Sequence, residues 1–161
     1  MHIFRPTWIK ERFTDVTVSF LQEHHITTVF TDLDNTVIGW DEMEASQELV
    51  KWLRELQQEH IQVIVVSNNK HTRIQPVAEQ LGISFASLSL KPSAKGFNKA
   101  MEMAGQPDKE QVLMIGDQIL TDVLGSNLYG IRSVFVEPIK ESDSWNTKIN
   151  RFFERIILNY L

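Results

Sequence analysis

Apolar and polar positions along the chain alternate between two regimes. Short, nearly unbroken apolar runs lie over 27–31, 62–67, 83–86, 112–115 and 133–136, with lengths that suit strands. Between them the period changes. Leu49, Trp52, Leu53 and Leu56 fall at i, i+3, i+4 and i+7, which predicts an amphipathic helix from about Ser46 to Glu59. Phe97, Ala100, Met101 and Ala104 make a second such stripe, stopped by Gly105. Helices are also predicted over 74–81, with Pro76 in the first turn and Gly82 past the end, and over 119–129, closed by Gly130. A short one is expected within 15–24, with Val18 and Leu21 inward, and residues 1–14 show no period. Strands without alternation suit burial on both faces, hence a parallel sheet. Strands alternating with helices then give an α/β fold: a single Rossmann-like domain over 1–161 with a mainly parallel central sheet.

Composition narrows the function classes. Of 161 residues, 42% are hydrophobic and 23% charged, an ordinary globular balance. Twenty-one acids against 16 bases leave a net charge of −5, which disfavours a general nucleic-acid binder. The absence of cysteine excludes disulfides, thiol catalysis and zinc–thiolate sites. No apolar run reaches the ~18 residues of a spanning helix, and the N-terminus is unlike a signal peptide, so a cytoplasmic protein is expected.

Candidate chemistry gathers where the strands end. Ligands of open α/β sheets bind beyond the carboxyl ends of the strands. Here the first strand runs into Asp32-Leu33-Asp34-Asn35-Thr36, the second into Ser67-Asn68-Asn69, and the fourth into Gly116-Asp117. Lys91-Pro92 follows the third. Taken singly these are weak signals: Asp34 and Asn35 suit a turn, Ser67-Asn68-Asn69 a strand-to-helix junction, Lys91 a solvated surface, and Gly116-Asp117 a helix cap. Their order along one rim is what carries weight. Clustered carboxylates also call for a counter-charge, and a divalent cation supplies one.

In that order the four motifs resemble those of the haloacid dehalogenase superfamily of phosphatases. More narrowly, Ser67-Asn68-Asn69, Lys91-Pro92, Trp40-Asp41 and the run from Gly116 to Asp122 resemble the YqeG branch of subfamily IIIA, which is related to phosphatidylglycerophosphate phosphatases. The resemblance implies a Mg²⁺-dependent phosphatase acting on a phosphorylated substrate, phosphatidylglycerophosphate being one candidate. Asp32 would be the nucleophile that becomes an aspartyl-phosphate, and Asp34 the general acid and base. Thr36, Ser67, the Asn68 backbone and Lys91 would contact the phosphate, with Thr36 also holding its loop and Lys91 steadying charge in the transition state. Metal ligands would be Asp32, Asp117 and, through its main chain, Asp34. Asp122 would orient Lys91 or a metal-bound water.

Nine residues (37–45) and four residues (87–90) occupy the two gaps where superfamily members carry a cap domain. Neither holds a folded unit, so a capless fold is expected. A bulky substrate, or a partner that supplies the lid, would suit it. Over 148–161, Ile149, Phe152, Phe153, Ile156, Ile157 and Tyr160 form an apolar face beside Lys148, Arg151 and Arg155. Such a helix would pack on the domain or on a second subunit as a homodimer, or else lie peripherally on an anionic membrane face at a lipid head group. Two rival functions are a receiver-like phosphoryl-accepting domain and a scaffold of this fold without activity. Both fit less well, because Asp32 and Asp34 share one motif and unused clustered acids only destabilise.

Overall fold

The computed structural model describes residues 2–140 and Arg155. The helix expected over 148–161 therefore lies, apart from Arg155, outside the described residues. Among the described residues six strands form one sheet: β1 (Trp8–Lys10), β2 (Thr28–Thr31), β3 (Gln62–Val66), β4 (Ser84–Ala86), β5 (Val112–Gly116) and β6 (Arg132–Val136). Their order is β1-β6-β5-β2-β3-β4, and every neighbouring pair is parallel. Five helices connect them: α1 (Val18–Glu23), α2 (Gln47–Gln58), α3 (His71–Leu81), α4 (Lys95–Met103) and α5 (Leu124–Tyr129).

The unbroken apolar strands have the consequence expected of them. Successive side chains leave opposite faces of a strand, so both faces of the central strands must be covered. Val29, Val63, Val65, Leu113 and Ile115 meet Leu49, Trp52, Leu53 and Leu56 of α2 and Ile74 and Val77 of α3. Their alternates Phe30, Ile64, Val66 and Met114 meet Phe97, Ala100 and Met101 of α4. The stripe over 46–59 is α2 as predicted, with Ser46 as N-cap accepting a hydrogen bond from the Leu49 amide at 3.1 Å.

Three elements differ from expectation. Residues 8–10 are not irregular but form edge strand β1 against β6, too short and too mixed in polarity to show a period. Helix α3 begins at His71, three residues earlier than predicted, so Pro76 lies inside it rather than in its first turn. His71, Thr72 and Arg73 carry no apolar period, which is why that turn was invisible in the pattern. The helix expected over 119–129 opens instead with a π-helical turn, Ile119–Val123, before α5. Turns of this wide type recur at functional sites.

The chain runs β2, β3, β4 outward and then returns to place β5 on the other side of β2. This reversal opens a crevice at the carboxyl ends of β2 and β5. Among the described residues, no folded unit is inserted between β2 and α2 or between β4 and α4, in keeping with a capless fold.

Candidate active site

Sheet register places the first acids together. Thr31 pairs with Ile115, and the Asp32 amide continues the ladder by donating to the Ile115 carbonyl at 3.0 Å. Asp32 and Gly116-Asp117 therefore leave the sheet side by side. Beyond Asp32 the chain folds back on itself through Asn35, which takes a left-handed φ of 61°, and whose amide donates to the Ile38 carbonyl at 2.7 Å. Asparagine tolerates this conformation better than most residues, which explains its place in the loop.

Asp122 arrives by way of the π-helical turn. Its carboxylate lies against Gly116 so closely that a β-carbon there would come within 2.3 Å of it. Gly116 is thus required by close approach, not by an unusual φ. Asp122 accepts hydrogen bonds from Lys91 Nζ at 2.6 Å and from the Gln118 amide at 3.1 Å. Carboxylate oxygens of Asp32, Asp117 and Asp122 all lie within 4.8 Å of one another. Lys91 Nζ is 3.5 Å from Asp32 as well, and its side chain is 1% exposed. Thr36 donates to Asp117 at 3.1 Å from a fully enclosed position.

The loop carrying Lys91 is clasped to the one following β3. Asn68 uses both ends of its amide, donating to the Lys91 carbonyl at 3.1 Å and accepting from the Lys91 amide at 2.7 Å. Ser67 is buried and accepts from the Asn69 amide at 3.0 Å. Asp34 sits apart from the three clustered acids. Its Oδ1 accepts from Arg73 Nε at 3.0 Å and Nη2 at 2.7 Å, and its Oδ2 from Asn69 at 2.8 Å.

All eight expected residues thus lie on one rim. Asp122 lies in the acid cluster and at the same time holds Lys91. The Asp34 side chain is not part of that cluster and faces Arg73. The Thr36 hydroxyl is turned to Asp117, and the Asn68 side chain holds the Lys91 main chain. Arg73 escaped the sequence because its helix was predicted to start after it. An arginine in the first turn of a helix following a rim strand is a signal that could have found it.

Three enclosed carboxylates against one ammonium leave negative charge uncompensated. Burial pushes the Asp32 carboxyl from its ordinary 3.8 up to about 8; Lys91 and the Leu33 amide oppose this, while Asp122 and Asp117 reinforce it. Burial alone would lower the Lys91 ammonium, yet Asp122, Asp32 and Asp117 outweigh it and hold it above its ordinary value. A hard, all-oxygen donor set with excess negative charge fits a divalent cation such as Mg²⁺.

The titration of Asp32 has a measurable sign. Between pH 3.8 and about 8 the folded, cation-free protein holds a proton that the unfolded chain has released. That stabilising contribution is complete below the unfolded value and is lost as pH rises through the folded one. We expect the Tm of cation-free protein to fall more steeply from pH 5 to 8 than that of Asp32→Asn. Added Mg²⁺ should raise Tm more at pH 8 than at pH 6. Equal slopes in the two proteins would disprove the assignment.

Comparison with known proteins agrees with this geometry. The family model described as hydrolase, haloacid dehalogenase-like hydrolase, matches residues 1–127. The probable phosphatase YqeG of Bacillus subtilis is 39% identical over 158 residues, covering 98% of this chain and 91% of its own. Among solved structures, the cobalt-bound deoxy-D-mannose-octulosonate 8-phosphate phosphatase of Haemophilus influenzae superposes with a TM-score of 0.53 at 18% identity, covering 84% of this chain and 89% of that one. The 3-deoxy-D-manno-octulosonate 8-phosphate phosphatase of Yersinia pestis gives 0.53 at 15% identity, covering 73% and 76%. At such identities the two structures speak for the fold alone. With an acid cluster on the rim of a six-stranded parallel sheet, a family model spanning most of the chain and a relative matching nearly all of it, this protein belongs to the haloacid dehalogenase-like hydrolases.

Proposed function

We propose that the chain is a Mg²⁺-dependent phosphomonoesterase working through an aspartyl-phosphate on Asp32. The observation that carries this reading is the convergence of Asp32, Asp117 and Asp122 around Lys91 at the crevice between β2 and β5. An Asp32 oxygen would form a bond to phosphorus as the bond from phosphorus to the leaving oxygen breaks. Asp34 would hand a proton to that oxygen and later take one from the water that splits the acyl phosphate. Lys91, fixed by Asp122, would steady negative charge on the nucleophile and the transferring group. Ser67 and the main chain at Asn68 would hold the phosphoryl oxygens. Mg²⁺ held by Asp32, Asp117 and the Asp34 main chain, with Asp122 beside them, would supply the charge that keeps Asp32 ionised and draws the phosphate in.

An amphiphilic substrate such as phosphatidylglycerophosphate fits the rim. Leu88 and Leu90 stand 49% and 59% exposed, both at left-handed φ values of 47° and 53°. Their loop is bound to the phosphate-side loop by hydrogen bonds from Leu88 to Asn69 and from Ser89 to Ser67, both 2.9 Å. Strained, exposed leucines beside a reactive site are costly unless something apolar meets them. Trp40 and Met43 are exposed on the neighbouring loop.

The test is hydrolysis by purified protein. An aryl phosphate and phosphatidylglycerophosphate in mixed micelles should both release inorganic phosphate with Mg²⁺, and neither should after chelation. Leu88→Ser/Leu90→Ser should slow the lipid reaction at least fivefold with little effect on the aryl ester. Hydrolysis that continues in chelator would refute metal dependence, and no hydrolysis of any ester would favour the scaffold reading.

A further inference from the structure

Asp34 is held from two sides. Both carboxylate oxygens are occupied, one by the Arg73 fork and the other by Asn69. With two Arg73 donors on Oδ1, that oxygen has no lone pair left for a leaving oxygen until the fork is released, whereas Oδ2 carries the single bond from Asn69. Arg73 itself is not fully engaged with strong acceptors. Its Nη2 also donates to the Gly39 carbonyl at 3.2 Å, but its Nη1 meets the sulfur of Met43 at 2.8 Å. A thioether is a poor acceptor for a guanidinium. Met43 is 49% exposed, so it is easily pushed aside. The Arg73 side chain is 14% exposed, which places the fork at the mouth of the site and not in bulk water.

We propose that Arg73 is a specificity-determining residue that reads a second anionic group, carried on the leaving portion of the substrate. This rests on the phosphatase reading above and adds the substrate class to it. If Asp34 protonates the leaving oxygen through Oδ1, the atoms beyond that oxygen come close to the residue that Oδ1 touches, which is Arg73. A carboxylate or phosphate there takes the Nη1 edge from Met43 in a bidentate, charge-assisted contact. In doing so it draws the fork away from Asp34 and frees the acid. Substrates without that charge would leave Asp34 tied and turn over slowly.

The measurement is kcat and KM for phenyl phosphate against its 3-carboxy and 4-carboxy derivatives, and for glycerol 3-phosphate against 3-phosphoglycerate. Wild type should favour the charged member of at least one pair by tenfold or more in kcat/KM, with part of the gain in kcat. In Arg73→Gln the preference should vanish. In Arg73→Lys, which keeps charge but not the fork, part of it should remain in KM while the gain in kcat is lost. Met43→Ala should keep the preference. Thermal melting of each variant separates a lost contact from a lost fold, since a mere staple between α3 and the loop at 34–43 would lower Tm without changing the ratio. A wild type indifferent to charge in every pair, or an unchanged ratio in Arg73→Gln, would overturn the assignment. Failure of wild type to cleave any ester would overturn the phosphatase reading instead.

Discussion

Asp32→Asn should abolish phosphate release, by ~10⁴-fold or more, as expected when a nucleophile that works as a unit with its neighbours is removed. The amide has the same shape as the carboxylate, and among the described residues the Asp32 oxygen accepts from the Leu33 amide at 2.8 Å and faces Lys91, so the loop should survive the change. What is lost is the electron pair that attacks phosphorus. Removing a carboxylate from a cluster short of positive charge should also raise the Tm of the cation-free protein, so inactivity and stability would move in opposite directions. That combination cannot arise from unfolding. Residual turnover above a hundredth of wild type, with no contaminating activity in the double variant Asp32→Asn/Asp117→Asn, would place the nucleophile elsewhere.

Lys91→Met should be the most damaging single change to the fold near the site. Lys91 is enclosed with three acids, and its side chain and that of Asp122 are each 1% exposed at a separation of 2.6 Å. Methionine fills similar volume but leaves those carboxylates without their cation. Breaking a buried pair from one side costs on the order of 3–5 kcal/mol, mostly the penalty of the orphaned partner. Denaturant unfolding of the cation-free variant should show a loss of that size, and Mg²⁺ should restore more stability than it adds to wild type. Lys91→Met/Asp122→Asn should regain a good part of the loss while remaining inactive. If the double variant is no more stable than the single one, the Lys91–Asp122 pair is not the source of the effect.

How much of this was legible in the chain depended on what each residue does. The central strands and α2 could be read because burial on both faces, or on one stripe, imposes a pattern on many residues at once. The acids at 32 and 117 could be placed because parallel strands end on a common rim. Edge strand β1 could not, since three residues paired on one side need no pattern. Nor could the π-helical turn, which brings Asp122 against Gly116, six positions back in the chain. Arg73 and the inward turn of Thr36 were hidden for a related reason. Each is defined by a partner 39 or 81 positions away, and linear order records no such distance. The receiver-like alternative gives way to the hydrolase family that the chain matches over residues 1–127.

Every acid of the cluster is steadied by a group from another stretch of the chain: Asp117 by Thr36, and Asp32 and Asp122 by Lys91, which Asn68 holds in turn. Variation in this protein should therefore be strongly epistatic. A change tolerated in one strand-end segment will be tolerated or lethal according to what stands in the others, and libraries that randomise these segments one at a time will underestimate how many working combinations exist.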